Sequence, residues 1–267
     1  MKMIDEADFY YAKFGYNEID LGNGIIYSKL DINSEQNNIG FDKGNYRILS
    51  IHNLFLMEEK QRQIIVENIV KILNELLSKM KIKKTDVILI CGLGNEDIIA
   101  DSFGVNVCKN ILPTMNIKSS LTKSKVCQVM PNVKSITGLD TYTIVNGLAN
   151  QVKAKLIILI DSLLTNNVSR IGHSFQISSC GITPGGAIKF GKKISEKSTG
   201  IKCLTIGVPF MVDLYDLAKK SRKHLIMSPK DNYSMIEYCS KIISDSINIF
   251  FNPTLTLQEI YELKRPF

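Results

Sequence analysis

An α/β fold with a mostly parallel sheet follows from three features of this 267-residue sequence. Three short apolar runs, at 87–91, 156–160 and 203–208, are rich in β-branched residues and bounded by polar residues or glycine. That is the pattern of strands buried on both faces. Amphipathic stretches alternate with these runs, which is the order of βαβ units. No internal repeat, low-complexity segment or linker divides the chain, so one domain over 1–267 is expected.

The elements can be read in order. Residues 1 to about 40 have weak periodicity, broken by Gly15, Gly22, Gly24 and Gly40. They read as an irregular arm over 1–31 and a little beyond, with one short strand at 24–28. Alternation at 46–51 predicts a strand. Over 58–81, Ile64, Ile65, Ile69, Ile72, Leu73 and Leu76 recur at steps of three and four, which predicts the clearest helix. The strand at 87–91 follows, then a helix over about 102–111 that ends before Pro113. A strand at 125–130 is broken by Pro131. A helix over 141–152 leads into the strand at 156–160. Residues 174–178 alternate as a strand, 181–186 form a turn-rich loop, and the strand at 203–208 ends at Pro209. A long amphipathic helix spans 233–251.

Composition narrows the functional classes. The formal charge is +7, with lysines spread along the chain rather than clustered with aromatics. A dedicated nucleic-acid groove is therefore not expected. Six cysteines occur without a C-x-x-C pair, and the three histidines are far apart. Buried free thiols in a reducing compartment fit this better than disulfides or zinc, and no metal or cofactor is expected. The amino terminus lacks the apolar core of a signal peptide, and no apolar run reaches membrane-spanning length. A soluble, cytoplasmic protein without membrane partners is expected.

The chemistry is expected at the carboxyl ends of the buried strands, where open α/β sheets place their ligands. Gly92 and Gly94 turn the chain after the first strand. Gly92-Leu-Gly94 is half of a dinucleotide fingerprint, but Asp97 stands at the third glycine, and no P-loop is present. Asp101 lies in the loop, and Asp161 directly follows the second strand. If the two strands are neighbours, both carboxylates face one cleft, where one is held protonated and the pair serves as acid and base. The alternative is that each caps the following helix. Ser102 and Ser162 lack a nucleophile elbow. Cys180 with His173 nearby in sequence reads as a packed thiol. The loop 181–186 can present backbone N–H groups to an oxyanion or a peptide, or serve as a plain turn.

Several motifs, in order, resemble the germination protease family of spore-forming bacteria. Gly92-Leu-Gly-Asn95 with Asp101-Ser-Phe-Gly104 is similar to the family's G-L-G-N and D-A-L-G. Ile158-Leu-Ile-Asp-Ser-Leu163 is similar to its A-I-D-A-L. Gln176-Ile-Ser-Ser-Cys-Gly-Ile-Thr-Pro-Gly185 resembles Q-I-S-D-T-G-I-x-P-G. Thr205-Ile-Gly-Val-Pro209 with Val212-Asp213, and Met227-Ser-Pro-Lys230, resemble two further motifs. The resemblance covers about 25–250.

The resemblance implies an aspartic-type endopeptidase on a fold like that of the hydrogenase-maturation peptidases, or phosphorylase-like fold. Asp101 and Asp161 would be catalytic, with Gly94, Asn95, Gly181 and Gly185 binding substrate and no metal. The substrates implied are small acid-soluble spore proteins, hydrolysed at germination in the forespore or spore core by a homotetramer. Members are zymogens, so 1–31 reads as a propeptide, and Leu30-Asp-Ile-Asn-Ser-Glu35 is similar to the family's processing sequence, with the cut between Asp31 and Ile32.

Three departures stand out. The chain is shortened between Val212 and Met227, Phe210 replaces a small residue, and Ser179-Cys180 replace Asp-Thr. Two alternatives follow: an inactive or regulatory homologue that binds a protein partner, or a metal-sensing maturation-type peptidase using Asp101, Asp161 and His173. A peptidyl-tRNA hydrolase shares Gly-Leu-Gly-Asn, but carries it at its amino terminus with a catalytic histidine shortly after, which this chain lacks.

Overall fold

The computed structural model describes residues 17–35, 41–118, 121–185, 191–213 and 226–264. Within them a nine-stranded sheet runs in the order β1-β2-β3-β7-β8-β6-β4-β5, with β9 paired to β8. The strands are β1 (Asn17–Asp20), β2 (Ile25–Ile32), β3 (Gly44–Ile51), β4 (Val87–Gly92), β5 (Lys125–Val129), β6 (Leu156–Thr165), β7 (Ser174–Ser178), β8 (Lys202–Asp213) and β9 (Ile226–Met227). The helices are α1 (Glu59–Lys79), α2 (Phe103–Asn110), α3 (Lys134–Thr137), α4 (Thr141–Gln151), α5 (Glu196–Thr199), α6 (Asn232–Phe251) and α7 (Leu257–Lys264). None of the described helices is long and apolar enough to cross a membrane.

The central strands β8, β6, β4 and β5 are parallel, as the three apolar runs predict. The side chains of β8, β6 and β4 are buried on both faces, whereas β5, at the edge of the sheet, is only partly buried. Leu73, Leu76, Ile88, Ile158, Leu204 and Ile242 belong to a core under α1, α2 and α6. Leu89, Ile157, Leu159, Val145 and Ala149 belong to a second core under α4. The other half of the sheet, β1, β2, β3 and β7, is antiparallel. Ile25, Leu49 and Ile51 of this half join the α1 core, whereas Ile32, Tyr46 and Ile48 form a small cluster with Cys180.

Several boundaries differ from the sequence reading. The strand read at 24–28 extends to Ile32 and pairs with β3 along its length. The segment 17–32 is therefore a hairpin rather than an irregular arm, and 1–16 lie outside the described residues. Neither β6 nor β8 stops where the sequence suggests. β6 continues four residues past Asp161 and β8 continues beyond Pro209. The register shifts between Leu163 and Leu164, which pair with Pro209 and Met211, so Phe210 is the extra residue of a bulge. A bulge is a place where a strand tolerates proline. The short helices α3 and α5, and strands β1 and β9, carry too few residues to show a period. Helix α7 is held by one fully buried side chain, Ile260, and by Tyr261, whose hydroxyl donates to the buried Asp245. Arg62 also donates to Asp245, at 3.0 Å. The shortened stretch between Val212 and Met227 falls largely at 214–225, outside the described residues.

A buried arginine locks the antiparallel half to α1. Arg47 is 0 % exposed in the middle of β3. Its Nη1 donates to Asp31 Oδ1 at 2.6 Å, and its Nη2 and Nε donate to the Glu75 carboxylate at 2.6 and 3.2 Å. Lys79 Nζ bridges the same acids, 3.0 Å from Asp31 and 3.3 Å from Glu75. The Arg47 hydrogen bonds hold Glu75 down to about 2. Burial pushes Asp31 up, but bonds from Arg47, Asn45 and Lys79 outweigh it and hold it well below the carboxylate range.

Replacing Arg47 with Met should cost roughly 3 kcal/mol at pH 7, the low end for breaking a buried pair, because both acids remain partly solvated. The folded-state values are depressed, so this stability is present above the unfolded values near about 4 and is lost as pH falls through the folded ones. Denaturant titrations of both proteins should therefore converge between pH 4 and pH 2. A gap that stays constant over that range would contradict the network.

Candidate active site

The carboxyl ends of β4 and β6 lie side by side, and the candidate site is built on them. After Gly92 the chain runs Leu93-Gly94-Asn95 into a 3-10 turn at Ile99–Asp101, then into α2. Glycine is required at three points here. A Cβ on Gly104, in the first turn of α2, would sit 2.2 Å from Ile160 O and 2.5 Å from Leu93 O. A Cβ on Gly92 would sit 2.4 Å from Gly104 O. Helix α2 thus rests directly on the backbones of β4 and β6. Gly94 has φ +106, and a Cβ there would sit 1.9 Å from Asp101 O. The loop folds back tightly, and Asn95 N donates to Asp101 Oδ2 at 2.8 Å.

Neither acid is a helix cap. Asp101 accepts from the loop, while the N-cap of α2 is Ser102, which makes no side-chain cap. Asp161 lies inside β6, with no helix directly after it. Both acids line one cavity of about 440 Å³. Gly94, Asn95 and Gly185 line it too, with Ile98, Val133, Leu164 and Met211 supplying apolar surface. Gly181 does not line it. It has φ +74 and packs against Ile194 O, where Ile182 and Ile194 form an isolated bridge. Gly186 lies outside the described residues.

The two carboxyls are pushed in one direction to different extents. Burial raises Asp161 well above its ordinary value, and the neighbouring Asp101 charge raises it further. Burial also raises Asp101, but the Asn95 N–H opposes this by stabilising the carboxylate. Asp161 is therefore the group that keeps a proton, and Asp101 the one that ionises first. One protonated and one ionised carboxyl on a common cavity fit general acid–base work on a water.

Other candidates are separated from this site. His173 lines a different cavity, which removes it from any three-ligand set with the two aspartates. Its Nδ1 lies 2.6 Å from Ile171 O. Burial pushes the Cys180 thiol up to about 11, and its Sγ lies 3.6 Å from Lys43 O. Ser162 lines the aspartate cavity, but no histidine does so among the described residues. Asp31 and Ile32 lie in β2, in the antiparallel half. Sequence reasoning missed Asn132 and Lys134, which also line the cavity. Their one signal was the Pro131 break, which ends β5 at the same edge of the sheet.

A buried acid and a half-buried one facing an open cavity at the carboxyl edge of a parallel sheet are the arrangement expected of an α/β enzyme. The germination protease family model matches residues 16–227, and the chain belongs to the germination protease family, which makes it a peptidase. A germination protease of Clostridium acetobutylicum is 27% identical over 266 residues, covering 82% of this chain and 81% of its own. One from Clostridium tetani is 28% identical, covering 88% of each chain. A NiFe hydrogenase maturation protease, HycI from Thermococcus kodakarensis, is 20% identical, covers 61% of this chain and 92% of its own, and superposes with a TM-score of 0.35.

Gly94→Ala should destabilise the protein by about 2 kcal/mol or more, since it combines a left-handed φ with a backbone clash. It should also weaken peptidase activity by displacing Asp101. Chemical denaturation and an activity assay on the same preparation check both. Unchanged stability would mean that the loop is looser than described.

Proposed function

We propose that this peptidase is an aspartic-type endopeptidase that cuts small acid-soluble spore proteins at germination, with Asp101 as base and Asp161 as acid. The observation that carries this reading is the shared cavity, in which a buried and a half-buried carboxyl are unequally disposed to ionise. The substrate class rests on family membership. The same reading places the enzyme in the forespore or spore core as a homotetramer.

The steps use only these two residues and a water. The Asp101 carboxylate takes a proton from water as its oxygen bonds to the scissile carbonyl carbon. Asp161 gives its proton to the carbonyl oxygen, which forms a neutral tetrahedral diol. The proton on Asp101 then passes to the amide nitrogen as the C–N bond breaks. One diol hydroxyl returns its proton to Asp161, and the starting state is restored. The apolar lining of Ile98, Val133, Leu164 and Met211 lowers the local dielectric, which strengthens each of these transfers.

Asp101→Asn and Asp161→Asn should each lower kcat by about 10²-fold or more with the fold intact, measured on a small acid-soluble spore protein. Activity should follow a bell, rising as Asp101 ionises and falling as Asp161 does, both limbs lying above the ordinary carboxylate range. Full activity in both variants would sink the mechanism. Stability gives a second readout. Asp161 keeps its proton when folded but ionises near about 3.9 when unfolded. The folded chain therefore binds more protons above that pH, and stability falls as pH rises. Asp161→Asn removes this cost, so its Tm should exceed that of the parent at neutral pH and match it below about pH 4.

The reading includes a maturation cut between Asp31 and Ile32. That bond lies in β2, paired with β3, and Asp31 is tied to Arg47. The cut therefore requires this strand to open first. Amino-terminal sequencing of protein from sporulating cells should find Ile32. An active protein that still carries all of β2 would refute the cut.

A further inference from the structure

A second cavity, of about 220 Å³, has in its floor Ile48 and Ser50 of β3 and Ser174 of β7. Its relation to the aspartates follows from register. Ile48 pairs with Gln176, Gln176 with Gly207, and Gly207 with Asp161. Cross-strand partners point to the same face. Ile48 and Asp161 therefore lie in one row on one face, three strand spacings apart, or roughly 14 Å at about 4.8 Å per strand. An extended peptide covers that span with about four residues. The two sites are also joined along the chain. Arg170, on the wall of the second cavity, belongs to the turn that follows β6, the strand carrying Asp161.

The lining is built and polar. Ser174 is 1 % exposed, and its hydroxyl has no hydrogen-bond partner among the described residues. A buried hydroxyl left unpaired is costly, and a bound group that pairs it would recover that cost. Both kinds of hydrogen-bonding group are present. Ile171 O can only accept, so His173 Nδ1 carries a proton toward it. The Glu18 carboxylate accepts, Arg170 donates, and the serine hydroxyls do either.

Resting on the endopeptidase reading above, we propose that this cavity is a substrate subsite about four residues from the scissile bond, taking an uncharged carboxamide side chain, asparagine or glutamine. A carboxamide offers N–H donors and a carbonyl acceptor together, which matches a lining of mixed character.

The test begins by locating the cut in a small acid-soluble spore protein by mass spectrometry. Peptides are then made around it, one reaching two residues to either side and one reaching six. In the long peptide each position three to five residues from the cut is occupied in turn by Gln, Glu, Lys or Ala. The long peptide should be cut with a kcat/KM about tenfold higher than the short one, and at one position Gln should exceed the other three by about tenfold. In Ser174→Ala that preference should shrink at least fivefold through KM, while the Tm stays level or rises because an unpaired hydroxyl has gone. Equal cutting of short and long peptides, a preference for Glu or Lys, or an unchanged preference in Ser174→Ala would overturn the subsite and leave the acid pair standing. Failure to cut the spore protein at all, or full activity in Asp161→Asn, would overturn the parent reading and the subsite with it.

Discussion

The geometry of the site depends on one contact without side chains. Helix α2 meets the backbones of β4 and β6 at Gly104 and Gly92, at separations that leave no room for a Cβ. A methyl group at either position would lift the helix away from the sheet. The loop leading into that helix carries Asp101, and the strand beneath it carries Asp161. The glycine contact therefore sets the height of one acid above the other. The spacing of the two carboxyls on the cavity, and with it their unequal tendency to ionise, is downstream of that contact.

The molecule uses carboxylates in two opposite ways. Asp31, Glu75 and Asp245 are each matched to a cation, Arg47 or Arg62. Among the described residues, Asp101 and Asp161 have no lysine or arginine partner, only backbone N–H groups. Pairing holds Asp31 and Glu75 down and fixes structure, whereas burial without a counter-charge raises Asp101 and Asp161 and keeps a proton available. The difference is a stability cost accepted where the chemistry needs it.

Much of the parallel core was legible in the sequence because its strands are apolar on both faces and need no partner to be recognised. The cavity was legible to the extent that acids after such strands must fall on one edge of the sheet. The antiparallel half was not. β2 is buried at Ile25, Ser28 and Ile32 and half-buried at the positions between them, so it shows no clean alternation. Arg47 sits at a buried position in β3, where a charge in the sequence suggests an outward-facing residue. Pro209 looked like a stop because the bulge that accommodates it depends on the partner strand. Asn132 and Lys134 reach the cavity through a chain break whose direction is set by tertiary packing.

The six cysteines are distributed so that almost every layer carries a thiol: Cys91 on β4, Cys127 on β5, Cys203 on β8, Cys180 just after β7, Cys108 on α2 and Cys239 on α6. Burial pushes all six up, Cys108 and Cys203 to about 12, and the five buried ones, all but Cys127, are inert thiols while their elements are in place. The protein thus contains its own set of local clocks. The rate at which each sulfur meets an alkylating reagent measures how often that layer opens, and comparing Cys108 with Cys239 separates motion of the helix beside the aspartates from breathing of the core behind it.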